Sequence, residues 1–430
     1  MKRWFQNLSQ IEKLAFSLAL LLILFAAIKA GYYTLKYGGT DLRADIVGTR
    51  AMLLNKSPYF FHWKAGDPET LLNPNDNGNT VNGVTAAPGV LHFYSLISWI
   101  KYPTLRIVWT GIQYLMMGSI FFLCFSRIKN FTGHVVYAFL ISSIAFLASN
   151  LWLENIERGQ KYVLYTFLIC GVWKLLESKK KYINVLGGAL LAFSIYCRPT
   201  FIVLAIPVLW IANRSAITGT FLCSLMLLLH TFFHLGEWKD YKRAMSIYVK
   251  IENVANVQTV RPAYPNIIEG SSNLRLYNSS FIIGGVRTFP SYSKPMSPVV
   301  IYIYAGIYAL FVLASFVFLR TRIKTFSTQQ AILFGFLLYI LSEYFIPNNR
   351  GGYNPIQWVM AVIFILTGEA RVGLNWLLII TGICFMLDFP FYFPGFHSIG
   401  ELLLVISLIR HLRSSNLVSI NSSKRTIIDG

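Results

Sequence analysis

Long apolar runs, broken by short polar turns, recur from one end of the chain to the other. The first follows the basic leader MKRWFQNLSQIEK and extends to about Tyr33, close to the ~20 residues a helix needs to cross a bilayer. No small-residue cleavage site ends it, so it reads as an uncleaved first helix with its N-terminus inside. Further runs lie at roughly 103–126, 134–152, 161–176, 183–197, 200–213 and 215–235, then at 298–319, 329–346, 355–368, 372–388 and 398–410. Residues 86–100 are apolar too, but they number only about fifteen and open on Pro88, which predicts an interfacial or re-entrant helix rather than a span. The pattern predicts an all-α polytopic membrane protein with about 12 transmembrane helices and both termini inside. It forms a single domain over 1–430, with an external segment at 34–102, a second long external loop at 236–297 and a cytoplasmic tail at 412–430 that ends in the basic, mobile SSKRTIIDG.

Composition agrees: of 430 residues, 55% are hydrophobic and 13% charged, which excludes a soluble globule. The five cysteines lie in or beside apolar runs without ligand-type pairing and read as packing residues. A net charge of +20 raises nucleic acid as a partner, but the basic residues are scattered between spans with no nucleic-acid module around them. Membrane lipid and a phosphate-bearing ligand fit better. Basic turns at Arg127 and Lys129, at Lys179 to Lys181, at Arg214, at Arg320, Arg322 and Lys324, and at Arg371 are assigned to the cytoplasm, which leaves the turns at Asn155 to Gln160 and at Arg198 outside. On that map the external side carries many cations, among them Arg43, Arg50, Arg106, Arg158, Lys161, Arg198 and Arg287. Long loops escape the charge rule, but the short turns at Arg158 and Arg198 do not, and guanidinium groups are preferred partners of phosphate. The expectation is an anionic substrate reached from outside.

The stretch GGTDLRADIVGTRAMLLNKSPY, Gly38 to Tyr59, concentrates Asp41, Arg43, Asp45 and Arg50 in a chain poor in charge. Ionisable groups beside hydrocarbon mark a functional site by default. Asp41 and Asp45 are four apart and share one face of a helix, with Arg43 and Arg50 projecting elsewhere. One carboxylate can then act as a base while a cation binds an anion; an ordinary solvated juxtamembrane helix shows the same pattern. His230 and His234 are also four apart, but no third ligand stands near them in the sequence, so packing is expected and no metal.

Five stretches carry a resemblance. Asp41 is followed by an aromatic turn, SPY, at Ser57 to Tyr59; ERGQ, Glu157 to Gln160, opens a span; CRPT, Cys197 to Thr200, sets a basic residue before proline; and YNSSFIIGGVRTF, Tyr277 to Phe289, sets Asn278 upstream of Arg287. A weaker fifth is NPIQW, Asn354 to Trp358. Together and in this order they resemble the family 87 glycosyltransferases, integral membrane enzymes of the GT-C class. That family more often shows Ser-Pro-x-Ser-Trp followed by histidines at the fifth stretch, where this chain has Val359 and Met360.

The resemblance implies a GT-C fold and transfer of a monosaccharide, with mannose the expected sugar, from a polyprenyl-phosphate donor to a hydroxyl of a glycan or glycolipid. The site would face outward from a bacterial cytoplasmic (inner) membrane, with the lipid-linked donor as co-substrate and no cofactor. It implies Asp41 as the catalytic base, with Arg198, Arg287 and Arg158 on the donor phosphate. Asp45, Arg43, Glu157, Gln160, Tyr59, Asn278 and Trp358 would bind substrate or support the site, Asp45 by holding Arg43 or the helix. The chemistry is consistent: phosphate leaves as an anion and needs cations rather than an acid, so one carboxylate suffices and inversion at the anomeric carbon is expected. A transporter or flippase of a lipid-linked anion is the alternative. It shares the spans and the basic cavity, but here the charges gather at one face beside a long external loop.

Overall fold

A computed structural model describes residues 9–252, 326–345, 353–369, 372–387 and 396–428, apart from gaps at 37, 77, 79 and 129–132, together with a few positions between 306 and 313. Among the described residues the chain is helical, with no strand. Helix α1 (Gln10–Lys36) starts where Ser9 and Glu12 cap each other: the Ser9 amide donates to Glu12 Oε2 at 2.8 Å and the Glu12 amide to Ser9 Oγ at 3.2 Å. Then come α2 (Thr40–Leu53), α3 (Pro88–Ser95), α4 (Tyr102–Phe125), α5 (His134–Leu147), α6 (Asn150–Arg158), α7 (Tyr162–Leu176) and α8 (Lys181–Cys197). A 3-10 turn (Pro199–Phe201) leads into α9 (Ile202–Ile211), α10 (Arg214–Phe233) and α11 (Leu235–Glu252). After the undescribed stretch follow α12 (Thr328–Phe345), a 3-10 turn (Asn354–Trp358), α13 (Val359–Gly368), α14 (Leu374–Met386) and α15 (Phe396–Ile428).

Among the described residues, four segments are long and apolar enough to cross a membrane: α1, α4, the run His134–Arg158 made by α5 and α6, and α10. Helices α1 and α10 turn apolar side chains outward, among them Leu14, Leu21, Phe25, Phe221, Met226 and Phe232. Such faces suit hydrocarbon and not water, and the chain is a helical membrane protein. Helices α7, α8, α13 and α14, and the run Pro199–Ile211, are apolar but shorter. At eight residues α3 reaches only about 12 Å, too short to span, in keeping with the short run expected there.

One expectation changes. The loop expected at 236–297 begins as helix α11, and the rest of it lies outside the described residues. The tail set at 412–430 is helical as far as Ile428, continuing α15.

Packing holds the functional segments in place. Helices α8 and α10 cross at small residues, Gly188 facing the Ala216 carbonyl and Gly219 facing the Val185 carbonyl, so the two backbones approach closely. The polar stretch after α2 is fixed by buried asparagines. Asn82 Nδ2 donates to the carbonyls of Pro58 (2.7 Å) and Phe61 (3.1 Å), and Asn73 Nδ2 donates to the Asn82 carbonyl at 2.7 Å. Arg50, at the end of α2, donates to the carbonyls of Ser98, Ile100 and Thr70 at 3.0, 3.0 and 3.2 Å, so its charge ties α2 to the segment after α3.

Candidate functional site

The turn after α6 is the hub. Gly159 sits at φ +69°, and its amide donates to the Ile156 carbonyl (3.0 Å) while the Gln160 amide donates to that of Asn155 (2.9 Å). This pair of bonds is a Schellman ending, which needs a left-handed residue at Gly159. A Cβ there would lie 2.6 Å from Cβ of Leu42, on α2. Buried Arg106 closes the same helix end, its Nη2 donating to the carbonyls of Ile156 (2.5 Å) and Glu157 (2.9 Å), and Trp109 Nε1 donates to that of Gly159 at 3.2 Å. Cationic donors on the last carbonyls of a helix are favourable. Arg106, counted at sequence level among the external cations, is therefore a structural residue.

The hub brings Arg158 and Gln160 onto Asp41. Arg158 Nη1 lies 3.2 Å from Asp41 Oδ2, and Gln160 Nε2 donates to the same oxygen. Among the described residues, Asp41 Oδ1 receives only a long 3.4 Å contact from Asn75 Nδ2. One turn along α2, Asp45 accepts from Lys161 Nζ at 2.6 Å. The two carboxylates do share a helix face, and they differ in access: the Asp41 side chain is 23% exposed and that of Asp45 5%. Burial holds the Asp45 carboxyl above the ordinary carboxylate value, against the pull of the Lys161 ammonium. Asp45 was expected to hold Arg43 or the helix; it pairs with Lys161, and the Arg43 guanidinium stands 5.1 Å from the Tyr102 ring centroid.

Arg198 caps α8 in extended conformation before Pro199 and pairs with Glu343 on α12. Four rings surround the guanidinium, with centroids at 5.0 Å (Tyr162), 4.8 Å (Tyr165), 5.4 Å (Tyr339) and 5.9 Å (Phe201). Tyr339 Oη lies 2.7 Å from both Glu343 Oε1 and Gln357 Oε1, which brings NPIQW into the same network. Tyr162 also packs against Tyr353 at 5.6 Å, and Arg158 lies 5.6 Å from the Tyr353 ring, so aromatic contacts link the Arg198 and Asp41 clusters. Helix α11 closes on this region. Its Tyr241 packs 5.6 Å from the Tyr59 ring, and burial pushes the Tyr241 phenol up while the charges of Arg198 and Lys161 pull it down.

Tyr59, Trp358 and Glu157, expected to bind substrate or support the site, are buried. Tyr59 is fully buried and donates to the Ala86 carbonyl at 2.8 Å, so it shapes the turn. Trp358 is fully buried, with Nε1 3.2 Å from Glu401 Oε1, and is a core residue. The Glu157 side chain is buried, and its carbonyl is an Arg106 acceptor. Asn278 and Arg287 lie outside the described residues. Sequence reading missed Asn75 and Glu343, and gave Lys161 no partner; each meets its partner across at least 34 residues of chain. The five cysteines are free thiols, buried or half-buried, as packing residues should be. No protein family, curated protein or solved structure matches the chain.

Proposed function

We propose that the chain is an inverting glycosyltransferase of the GT-C class that moves a monosaccharide from a polyprenyl-phosphate donor to a hydroxyl of a glycan or glycolipid. The observation that carries this reading is convergence. Asp41, ERGQ, CRPT and NPIQW, spread over more than 300 residues, contribute to two carboxylate and guanidinium clusters joined through Tyr162 and Tyr353. Around this site we propose about twelve spans, with the site at the outer face of a cytoplasmic membrane, where a lipid-linked donor keeps its chain in hydrocarbon and its sugar phosphate in reach.

In the step proposed, the acceptor oxygen attacks the anomeric carbon from the side opposite the phosphate. The C–O bond to phosphate breaks, its electron pair stays on the phosphate oxygen, and the acceptor proton goes to Asp41. Oδ1 is the oxygen that fits this role, since Oδ2 is occupied by Arg158 and Gln160. Arg158 and Arg198 each have a buried Nε that meets no hydrogen-bond acceptor among the described residues, and a phosphate supplies acceptors for such groups. Lys161 keeps Asp45 in place and adds positive charge nearby. The sugar, with mannose the first to try, is set by contacts that the acceptor and donor must reveal.

The test is direct. Purified protein in lipid, supplied with labelled polyprenyl-phosphate sugars and a panel of glycan and glycolipid acceptors, should form a product whose new linkage has the opposite anomeric configuration to the donor. Protein-dependent movement of the labelled lipid across the bilayer without product would favour the transporter reading instead.

A further inference from the structure

A second cluster shares no side chain with the Asp41 site. His92 on α3 and His230 and His234 at the end of α10 bring their rings together, with centroids 4.5 Å apart for His92 and His230, 4.6 Å for His92 and His234, and 4.4 Å for His230 and His234. One ligand nitrogen from each ring lies within 4.8 Å of the other two. Each ring is also held at one nitrogen. Glu237 on α11 reaches His92 Nε2 with Oε2 (2.8 Å) and His234 Nδ1 with Oε1 (3.0 Å), and Tyr196 Oη meets His230 Nδ1 at 2.8 Å. That leaves His92 Nδ1, His230 Nε2 and His234 Nε2 for another partner. In histidine metal sites the ring nitrogen away from the metal is held by a carboxylate or other oxygen, which fixes the tautomer and the ring orientation.

We infer that His92, His230 and His234 form a three-histidine site for a divalent transition metal of the zinc type, braced by Glu237 and Tyr196. Zinc accepts three imidazoles readily, and bonds of about 2.0–2.1 Å put ligand nitrogens roughly 3.4 Å apart, within reach of ring rotation from nitrogens that lie within 4.8 Å of one another. The His230 and His234 rings stack while the His92 ring meets both edge-on, and a single carboxylate, that of Glu237, is shared between His92 and His234. With a metal bound, the cluster becomes a clasp that joins α3, α10 and α11. The clasp bears on the site through its neighbours: Tyr196 stands two residues before Arg198 and packs 5.6 Å from Trp238, while Tyr241, one turn further along α11, covers Tyr59. The sequence withheld this because His92 lies 138 residues before His230, in the short helix that read only as an interfacial segment.

Full-length protein purified through a tag without histidines, stripped with chelator and returned to zinc chloride, should hold one zinc ion per chain by elemental analysis after desalting. Its unfolding temperature should rise with added zinc. Cobalt in place of zinc should give the visible bands of a nitrogen-ligated tetrahedral ion, a readout on wild-type protein that needs no variant to fold. His230→Ala and His234→Ala should lose the bound zinc and the thermal shift, whereas His62→Ala, whose ring pairs with Asp76 elsewhere, should keep both. Wild-type protein that retains no zinc and gives no cobalt bands, or a His92→Ala/His230→Ala/His234→Ala variant that binds as much as wild type, would overturn the assignment. None of these readouts depends on sugar transfer, so their failure leaves the transferase reading to its own test.

Discussion

Asp45 and Lys161 lie 2.6 Å apart with 5% and 11% of their side chains exposed, so each neutralises a charge the other would leave buried. Breaking such a pair from one side costs about 3–5 kcal/mol, while replacing both partners is far milder. Thermal unfolding should therefore rank Asp45→Asn and Lys161→Met below the double variant; a double variant less stable than either single would contradict the pairing. The pH dependence has a definite sign. Burial already raises the Asp45 carboxyl, and Lys161→Met removes the main opposing influence. The folded state then holds a proton that the unfolded chain releases, so the variant's stability is fully present at acid pH and falls as pH rises through the folded-state value. Arg198 offers a second residue-scale test. Arg198→Lys keeps the charge near Glu343 but loses the planar fork set among four rings, and the KM for donor should rise roughly tenfold, about 1.4 kcal/mol. An unchanged KM would put donor phosphate elsewhere. Asp41 stood out in the sequence because a lone charged cluster beside an apolar run is costly, but its pairing with Arg158 and Gln160 did not, since the sequence set Arg158 on the donor phosphate. For Tyr59 and Trp358 the sequence left open whether they bind substrate or support the site, because an aromatic side chain looks the same in sequence whether it lines a pocket or fills a core; both are buried.

At the scale of elements, the turn between α6 and α7 positions the site, and its glycine is the test. Gly159→Ala forces a left-handed backbone on a residue with a Cβ and drives that Cβ into Leu42. The expected cost is about 1–3 kcal/mol, together with displacement of Arg158 and Gln160 from Asp41, read as a lower unfolding temperature and impaired transfer. Gly111→Ala, in α4 where a Cβ meets nothing within 4 Å, is the control and should be neutral or stabilising by up to ~1 kcal/mol. Equal behaviour of the two variants would mean that the turn is not under constraint. Helix boundaries were largely legible because hydropathy sets them: the run expected at 103–126 is α4, Tyr102–Phe125. The run expected at 134–152 was not, since the chain breaks after Leu147 and restarts as α6, with Ser149 Oγ accepting from the Leu151 amide at 3.2 Å. Hydropathy carries no mark of such a break. Nor did it mark α11, whose residues Trp238, Lys239, Asp240 and Lys242 look like a polar loop until Asp240 is seen accepting from Ser57 Oγ at 2.5 Å and Tyr241 against Tyr59.

For the whole molecule, the proposed orientation puts the α2 and α3 segment outside and the α7 to α8 turn inside. In a background with the native thiols replaced, Ala65→Cys should react with a membrane-impermeant thiol reagent on intact cells and Lys180→Cys should not; the reverse pattern would invert the map. The membrane class was plain in the sequence because lipid leaves so few alternatives to apolar helices. The assembly of the site was less so, because ion pairs such as Arg198 with Glu343 join residues 145 positions apart and charge alone does not say which cation meets which carboxylate. The central claim is that Asp41 takes the acceptor proton in a sugar transfer from a phosphate-linked donor. The measurement that bears on it most directly is single-turnover transfer by Asp41→Asn beside wild type, with donor binding measured on the same samples. A general base contributes a factor on the order of 10²–10⁴, so transfer should fall by that much while donor binding and unfolding temperature stay near wild type. Near-normal transfer by Asp41→Asn, or equal loss of transfer and donor binding, would contradict the account.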